Sequence, residues 1–145
     1  MARAVPGLTV VIDHLAKPPV GTDAFAAWEA ELRRVAALPN TMAKFSGLHL
    51  PGVPFTVDTV GALLDVALDA FAAERLMYGG DWPMSVPHGG YQGTWRVMRD
   101  CLDRLSPSER AGILGGNAER AYLDQDVRRF TPKSSFVHDS TDETA

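Results

Sequence analysis

Two acid-bearing stretches in this chain end in residues able to activate water: Asp13-His14, which closes the apolar run Leu8 to Ile12, and Asp81-Trp82, which follows Leu76-Met77-Tyr78-Gly79-Gly80. A carboxylate and an imidazole facing one cavity can hold and deprotonate a water, or bind a metal that does so. Lys17, in the loop after His14, could receive a substrate carboxylate or stabilise a developing oxyanion. Ser46 to His49 close a third run and supply a hydroxyl and a second imidazole. Each residue also has a plain structural reading. Asp81 could cap a turn after its two glycines, His14 could bond backbone at a sheet rim, and Lys17 and His49 could be solvated loop residues. His88, between Pro87 and Gly89, reads either as a lid residue or as an exposed one, and His138 reads as uninvolved.

These residues can meet only if the chain folds so that the ends of three separated strands share a rim. Leu8 to Ile12, Met42 to Ser46 and Leu76 to Tyr78 read as buried strands, the second more weakly because Lys44 interrupts it. Between them, Phe25, Trp28, Leu32 and Val35 recur at helical spacing behind Asp23 as a cap, and Val57, Val60, Leu64, Leu68 and Phe71 recur behind Thr56, with Asp58 in the first turn. A further stripe joins Tyr91, Trp95, Met98, Leu102 and Leu105, where core packing is the expected role of the aromatic rings. Ser106-Pro107-Ser108-Glu109 has the pattern of a capping box with proline in the first turn; Gly115-Gly116 should end that helix and Asn117 should cap a last one. The strands recur about every 34 residues, close to the roughly 31 per unit of a (β/α)8 barrel of about 250 residues. In parallel α/β folds the site lies at the carboxyl ends of the strands, so Asp13-His14, Ser46 to His49 and Asp81-Trp82 are expected on one rim.

Several function classes are excluded. The formal net charge of -4, with Lys and Arg scattered, offers no clustered basic face for nucleic acid. Cys101 is the single cysteine and sits in an apolar helical stretch, so it reads as a core thiol in a chain suited to a reducing cytoplasm. No apolar segment reaches bilayer-spanning length. The sequence contains no HxH, HExxH, Walker loop or GxSxG elbow, since Lys44 stands where the elbow before Ser46 would need glycine. Gly112, Gly115 and Gly116 read as helix-ending glycines, not as a dinucleotide loop.

Val11-Ile12-Asp13-His14-Leu15-Ala16-Lys17-Pro18 resembles the metal-dependent hydrolase superfamily, in the amidohydrolase-related branch that includes sugar lactonases and 2-pyrone-4,6-dicarboxylate lactonase. Pro39-Asn40 leading into Ala43-Lys44-Phe45-Ser46-Gly47-Leu48, then Glu74 to Pro83, then Ile113-Leu114-Gly115-Gly116-Asn117-Ala118, are similar to that branch in order and spacing. The resemblance covers about residues 5 to 123. It implies an α/β fold, the C-terminal portion of a TIM (β/α)8 barrel: about three parallel βα units, similar to strands six to eight, plus closing helices. Residues 1–123 would form this partial barrel and 124–145 a flexible polar tail. Ala2 to Leu8 resembles the end of an internal helix, so Met1 is expected to begin inside the family's domain.

The resemblance further implies that Asp81 activates the hydrolytic water and that His14 positions it or polarises the carbonyl. Lys17, Ser46, Trp82 and His49 would bind substrate, and His14 and Asp81 would hold a divalent metal such as zinc if this member is metal-dependent, since some members use none. Gly80 departs from the usual Gly-Ser-Asp and removes a hydroxyl that could orient the acid. The family's first-strand HxH has no counterpart here. The implied activity is hydrolysis of a sugar-acid or related carboxylated lactone, weak or absent in this chain by itself. The alternatives are an aromatic acid decarboxylase of the same superfamily, or a non-catalytic half-barrel that self-associates or pairs with an N-terminal half.

Overall fold

Alternation along Thr41-Met42-Ala43-Lys44-Phe45 gives the central strand two unlike faces, with Thr41, Ala43 and Phe45 buried and Met42 and Lys44 half-buried. The computed structural model describes residue 2 and residues 4–123; the tail from residue 124, together with His138, lies outside them. Strand β1 (Val10–Ile12) pairs parallel with β2 (Thr41–Phe45), which pairs parallel with β3 (Leu76–Tyr78), in the order β1-β2-β3. Ile12 is opposite Ala43 and Phe45 is opposite Tyr78, so the residues following each strand emerge along one rim. β1 is shorter and less buried than the sequence suggests: it begins at Val10, is half-buried throughout, and leaves Leu8 43% exposed. It is a sheet edge with a partner on one side only among the described residues.

The first connecting helix, α1 (Phe25–Ala36), starts from Ala24 and not from Asp23. Asp23 falls one residue short of the capping position, and the Thr22 hydroxyl takes the Ala24 amide instead, at 3.3 Å. Helix α2 (Val57–Phe71) begins as its sequence suggests, with the Thr56 side chain accepting from the Thr59 amide and Asp58 in the first turn. Its buried stripe is Val60, Gly61, Leu63, Leu64, Ala67 and Phe71; Val57 is 42% exposed because a first-turn position precedes the packed face. Helix α3 (Gly90–Leu102) buries Thr94, Met98, Cys101 and Leu102 but leaves Tyr91 48% exposed, so the aromatic residue at its start is not core. Cys101 is a buried free thiol, and burial pushes it above the ordinary thiol range.

The Ser106 capping box forms in full ahead of α4 (Pro107–Ala111). Gly115 and Gly116 do not end the helical path: Gly112–Gly116 continue it as one π turn into α5 (Asn117–Tyr122). Asn117 is buried and is no cap; its amide donates to the Ala73 and Leu76 carbonyls at 2.7 and 2.6 Å, fixing this turn against the start of β3. Arg75 does comparable work beside it, donating to the carbonyls of Ala36 (2.7 Å), Thr41 (3.3 Å) and Phe71 (3.1 Å). The amino end of the sheet is thus held by polar latches. Phe45, Leu64, Phe71, Leu76, Met98, Leu102 and Ile113 form one core between the sheet and helices, all at or below 1% exposure. No helix among the described residues is long and apolar enough to cross a membrane.

Candidate active site

After Ile12 the chain makes a turn of the wrong hand for L-residues. His14, Leu15, Ala16 and Lys17 have φ of 53°, 51°, 57° and 56°, and the Lys17 amide bonds the His14 carbonyl at 2.9 Å. Left-handed helical geometry costs roughly 1–2 kcal/mol per non-glycine residue, and it persists only where the surroundings impose it. Here Leu15 is fully buried, its carbonyl accepts from the Trp28 indole at 2.8 Å, and the Lys17 ammonium donates to the Gly47 carbonyl at 3.0 Å. The turn sends Leu15 into the core and leaves the His14 ring over the end of β2.

That ring is seated closely. His14 Nδ1 lies 2.9 Å from the Ser46 hydroxyl, and a Cβ on Gly47 (φ +60°) would stand only 2.3 Å from the same nitrogen, so residue 47 must be glycine for the imidazole to lie where it does. Ser46 is itself 2% exposed and packed on Gly79, where a Cβ would stand 3.1 Å from the serine Cβ. Beyond β3, Asp81 also has a left-handed φ, 49°, and its Oδ1 is 3.7 Å from His14 Nε2. This separation exceeds a hydrogen bond and suits two groups that share a third species. Both side chains keep some solvent contact, 27% for His14 and 19% for Asp81.

The other expected residues divide. Asp13 takes a different partner: it meets Lys44 at 2.7 Å, where the Tyr122 phenol is also close to the ammonium. The Lys44 bond holds the Asp13 carboxyl below its usual range. Lys17 points its ammonium at Gly47, and Ser46 touches His14. Trp82 is 72% exposed on the rim. His49 turns toward α3, with Nε2 2.9 Å from the Thr94 hydroxyl and its ring stacked between Phe55 (centroids 3.8 Å apart) and His88 (4.6 Å). Burial and the neighbouring His88 hold His49 below the ordinary histidine range, against an opposing pull from Asp81.

Three features of the site escape a reading of residue types. Tyr91, expected in the core, lies across Gly80, where a Cβ would stand 2.6 Å from the Tyr91 Cε2. The space a side chain at position 80 would need therefore belongs to that ring. The Tyr78 hydroxyl is buried with no hydrogen bond of normal geometry; burial and the adjacent Tyr91 phenol push Tyr78 well above the ordinary tyrosine range. Thr94, the partner of His49, lies outside the apolar stripe read from the sequence.

A catalytic zinc site uses three protein ligands and an open position. Among the described residues no group of three His, Cys, Asp or Glu side chains is placed to hold a metal. His14 and Asp81 are near enough to share an ion, but as a pair they fall one donor short.

The amidohydrolase family profile matches residues 1–123. The L-fucono-1,5-lactonase of Burkholderia ambifaria is 40% identical over 126 residues, covering 83% of this chain and 43% of that protein. A solved amidohydrolase from Burkholderia multivorans, with bound zinc, superposes with a TM-score of 0.72 at 35% identity over 79% of this chain and 44% of its own. A putative 2-pyrone-4,6-dicarboxylic acid hydrolase from Pseudomonas putida gives 0.68 at 25% identity over 83% of this chain and 45% of its own. The chain therefore spans less than half the length of these relatives, and its three parallel βα units and closing helices are a portion of their TIM-barrel fold. By its sequence and its fold, this chain belongs to the amidohydrolase family.

Proposed function

We propose that this chain supplies the Asp81 and His14 portion of a site that hydrolyses a lactone of a sugar acid or related carboxylated compound. The observation that carries this reading is the placement of His14: seated on Ser46 and Gly47 by a strained turn, it presents Nε2 3.7 Å from Asp81 at the carboxyl ends of two different strands. With the Ser46 hydroxyl donating to Nδ1, Nε2 carries the proton and polarises the lactone carbonyl. Asp81 accepts a proton from water as the water oxygen attacks that carbon. Collapse of the tetrahedral intermediate breaks the ring C–O bond, and the departing alkoxide takes the proton back from Asp81. Lys17 has two ammonium hydrogens beyond the one bonded to Gly47, which suit an oxyanion or a substrate carboxylate. A divalent cation at His14 and Asp81 would need a third ligand from outside the described residues.

The test replaces the matching segment of the Burkholderia ambifaria relative with residues 1–123 of this chain. Hydrolysis of L-fucono-1,5-lactone by the chimera should survive, and Asp81→Asn within it should lower kcat by about 10²-fold or more. A chimera whose rate is unchanged by Asp81→Asn would sink the assignment. The 145-residue chain alone should hydrolyse the lactone near the background rate, because the remaining barrel strands would supply the rest of the pocket.

A further inference from the structure

Beside the His14 and Asp81 pair, between the loop after β2 and the start of α3, lies a cavity of about 450 Å³, within the range of small-ligand sites. One wall is the stacked His49 and His88 rings, another is apolar (Val53, Phe55, Val97), and Arg96 projects at its edge. Among the described residues no acidic side chain lines it. Arg96 is exceptional in the described residues: every other described arginine engages a carboxylate or a backbone carbonyl, whereas Arg96 makes no hydrogen bond or ion pair among them. The Thr94 hydroxyl donates to the Gly90 carbonyl at 3.2 Å and so accepts from His49 Nε2–H, which leaves His49 Nδ1 as the ring nitrogen with capacity to spare.

We propose that this cavity binds a small organic carboxylate, with its head group held by Arg96 beside the His49 and His88 pair and its apolar body on Val53, Phe55 and Val97. A guanidinium matches a carboxylate with two parallel N–H donors, which a histidine pair alone does not offer. The apolar wall selects an organic anion over an inorganic one, since inorganic phosphate would leave Val53, Phe55 and Val97 in contact with water. This site stands beside the reaction proposed above and does not depend on it.

The experiment titrates the isotope-labelled 145-residue chain with cyclohexanecarboxylate and follows the His49 and His88 imidazole and Arg96 guanidinium resonances at fixed pH. Saturable shifts at all three residues are expected, with cyclohexylmethanol giving none at Arg96. Arg96→Gln, at an exposed position, should keep the fold and weaken binding about tenfold or more. His14→Asn should leave the affinity within about twofold, which separates this site from the His14 and Asp81 pair. Absence of saturable shifts, equal binding by Arg96→Gln, or loss of binding in His14→Asn would each overturn the proposal. Inorganic phosphate that binds as tightly as the organic acid would overturn the role given to the apolar wall.

Discussion

Gly47→Ala tests the seating of His14 most directly. At φ +60° an alanine costs about 1 kcal/mol or slightly more in backbone strain alone. Its methyl would also stand 2.3 Å from His14 Nδ1 and 2.6 Å from Cγ, so the ring must leave. The bond to the buried Ser46 hydroxyl then breaks, at a further cost of about 1 kcal/mol. The total is about 2 kcal/mol. Gly52→Ala is the internal control: Gly52 has φ +72°, a methyl there would meet nothing within 4 Å, and the substitution should cost only the backbone part, about 1 kcal/mol. Urea denaturation of the two variants against the parent measures the difference, and the His14 imidazole resonances should move in Gly47→Ala alone. Equal destabilisation by the two substitutions, with His14 unmoved, would refute the seating of the ring on Gly47.

Asn117→Ala leaves the Ala73 and Leu76 carbonyls without their donor in a buried place and should cost about 2–3 kcal/mol in the same denaturation assay. Ser106→Ala removes the hydroxyl half of the capping box and should cost about 1 kcal/mol, with Glu109 left unable to compensate. The Asp13 carboxyl is held below its unfolded value by Lys44, so the folded state keeps the charge to lower pH. That contribution is present above the unfolded carboxylate value and is lost as pH falls through the lowered folded one. Asp13→Asn should therefore flatten the acid limb of the stability profile while leaving neutral-pH stability little changed, as expected of a pair whose acid is 62% exposed.

What the sequence reveals about the fold is what periodicity and caps encode. The βα rhythm, the Thr56 cap and the Ser106 capping box are local patterns, and the structure contains each. Expectation and structure part where a local pattern is overruled by a distant contact. Asn117 has the chemistry of a cap, yet its amide is taken by carbonyls more than 40 residues away in sequence, and the glycines before it extend a π turn instead of stopping a helix. At the site, the types and order of residues foretell that Asp81, His14 and Ser46 share a rim. They do not foretell the division of labour in which Ser46 contacts His14 and His49 turns to Thr94, because parallel register places strand ends together without fixing which way each side chain points. The left-handed turn at His14 to Lys17 is invisible in the sequence for a plainer reason: it contains no glycine or asparagine, the residues by which such a conformation is normally signalled.

That missing signal has a consequence for how the site comes into being. An Asp-His-Leu-Ala-Lys segment in an unfolded chain almost never visits four successive left-handed conformations, so nothing local can assemble this part of the rim in advance. The turn becomes the favoured state only once the pocket for Leu15 has closed and the Trp28 indole and the Gly47 carbonyl stand ready to receive it. His14 is consequently in position only in molecules whose interior is already complete. A chain that collapses without finishing its core would keep every candidate catalytic residue in its sequence and still hold no aligned imidazole, which makes the chemistry of the rim an all-or-none property of the folded interior.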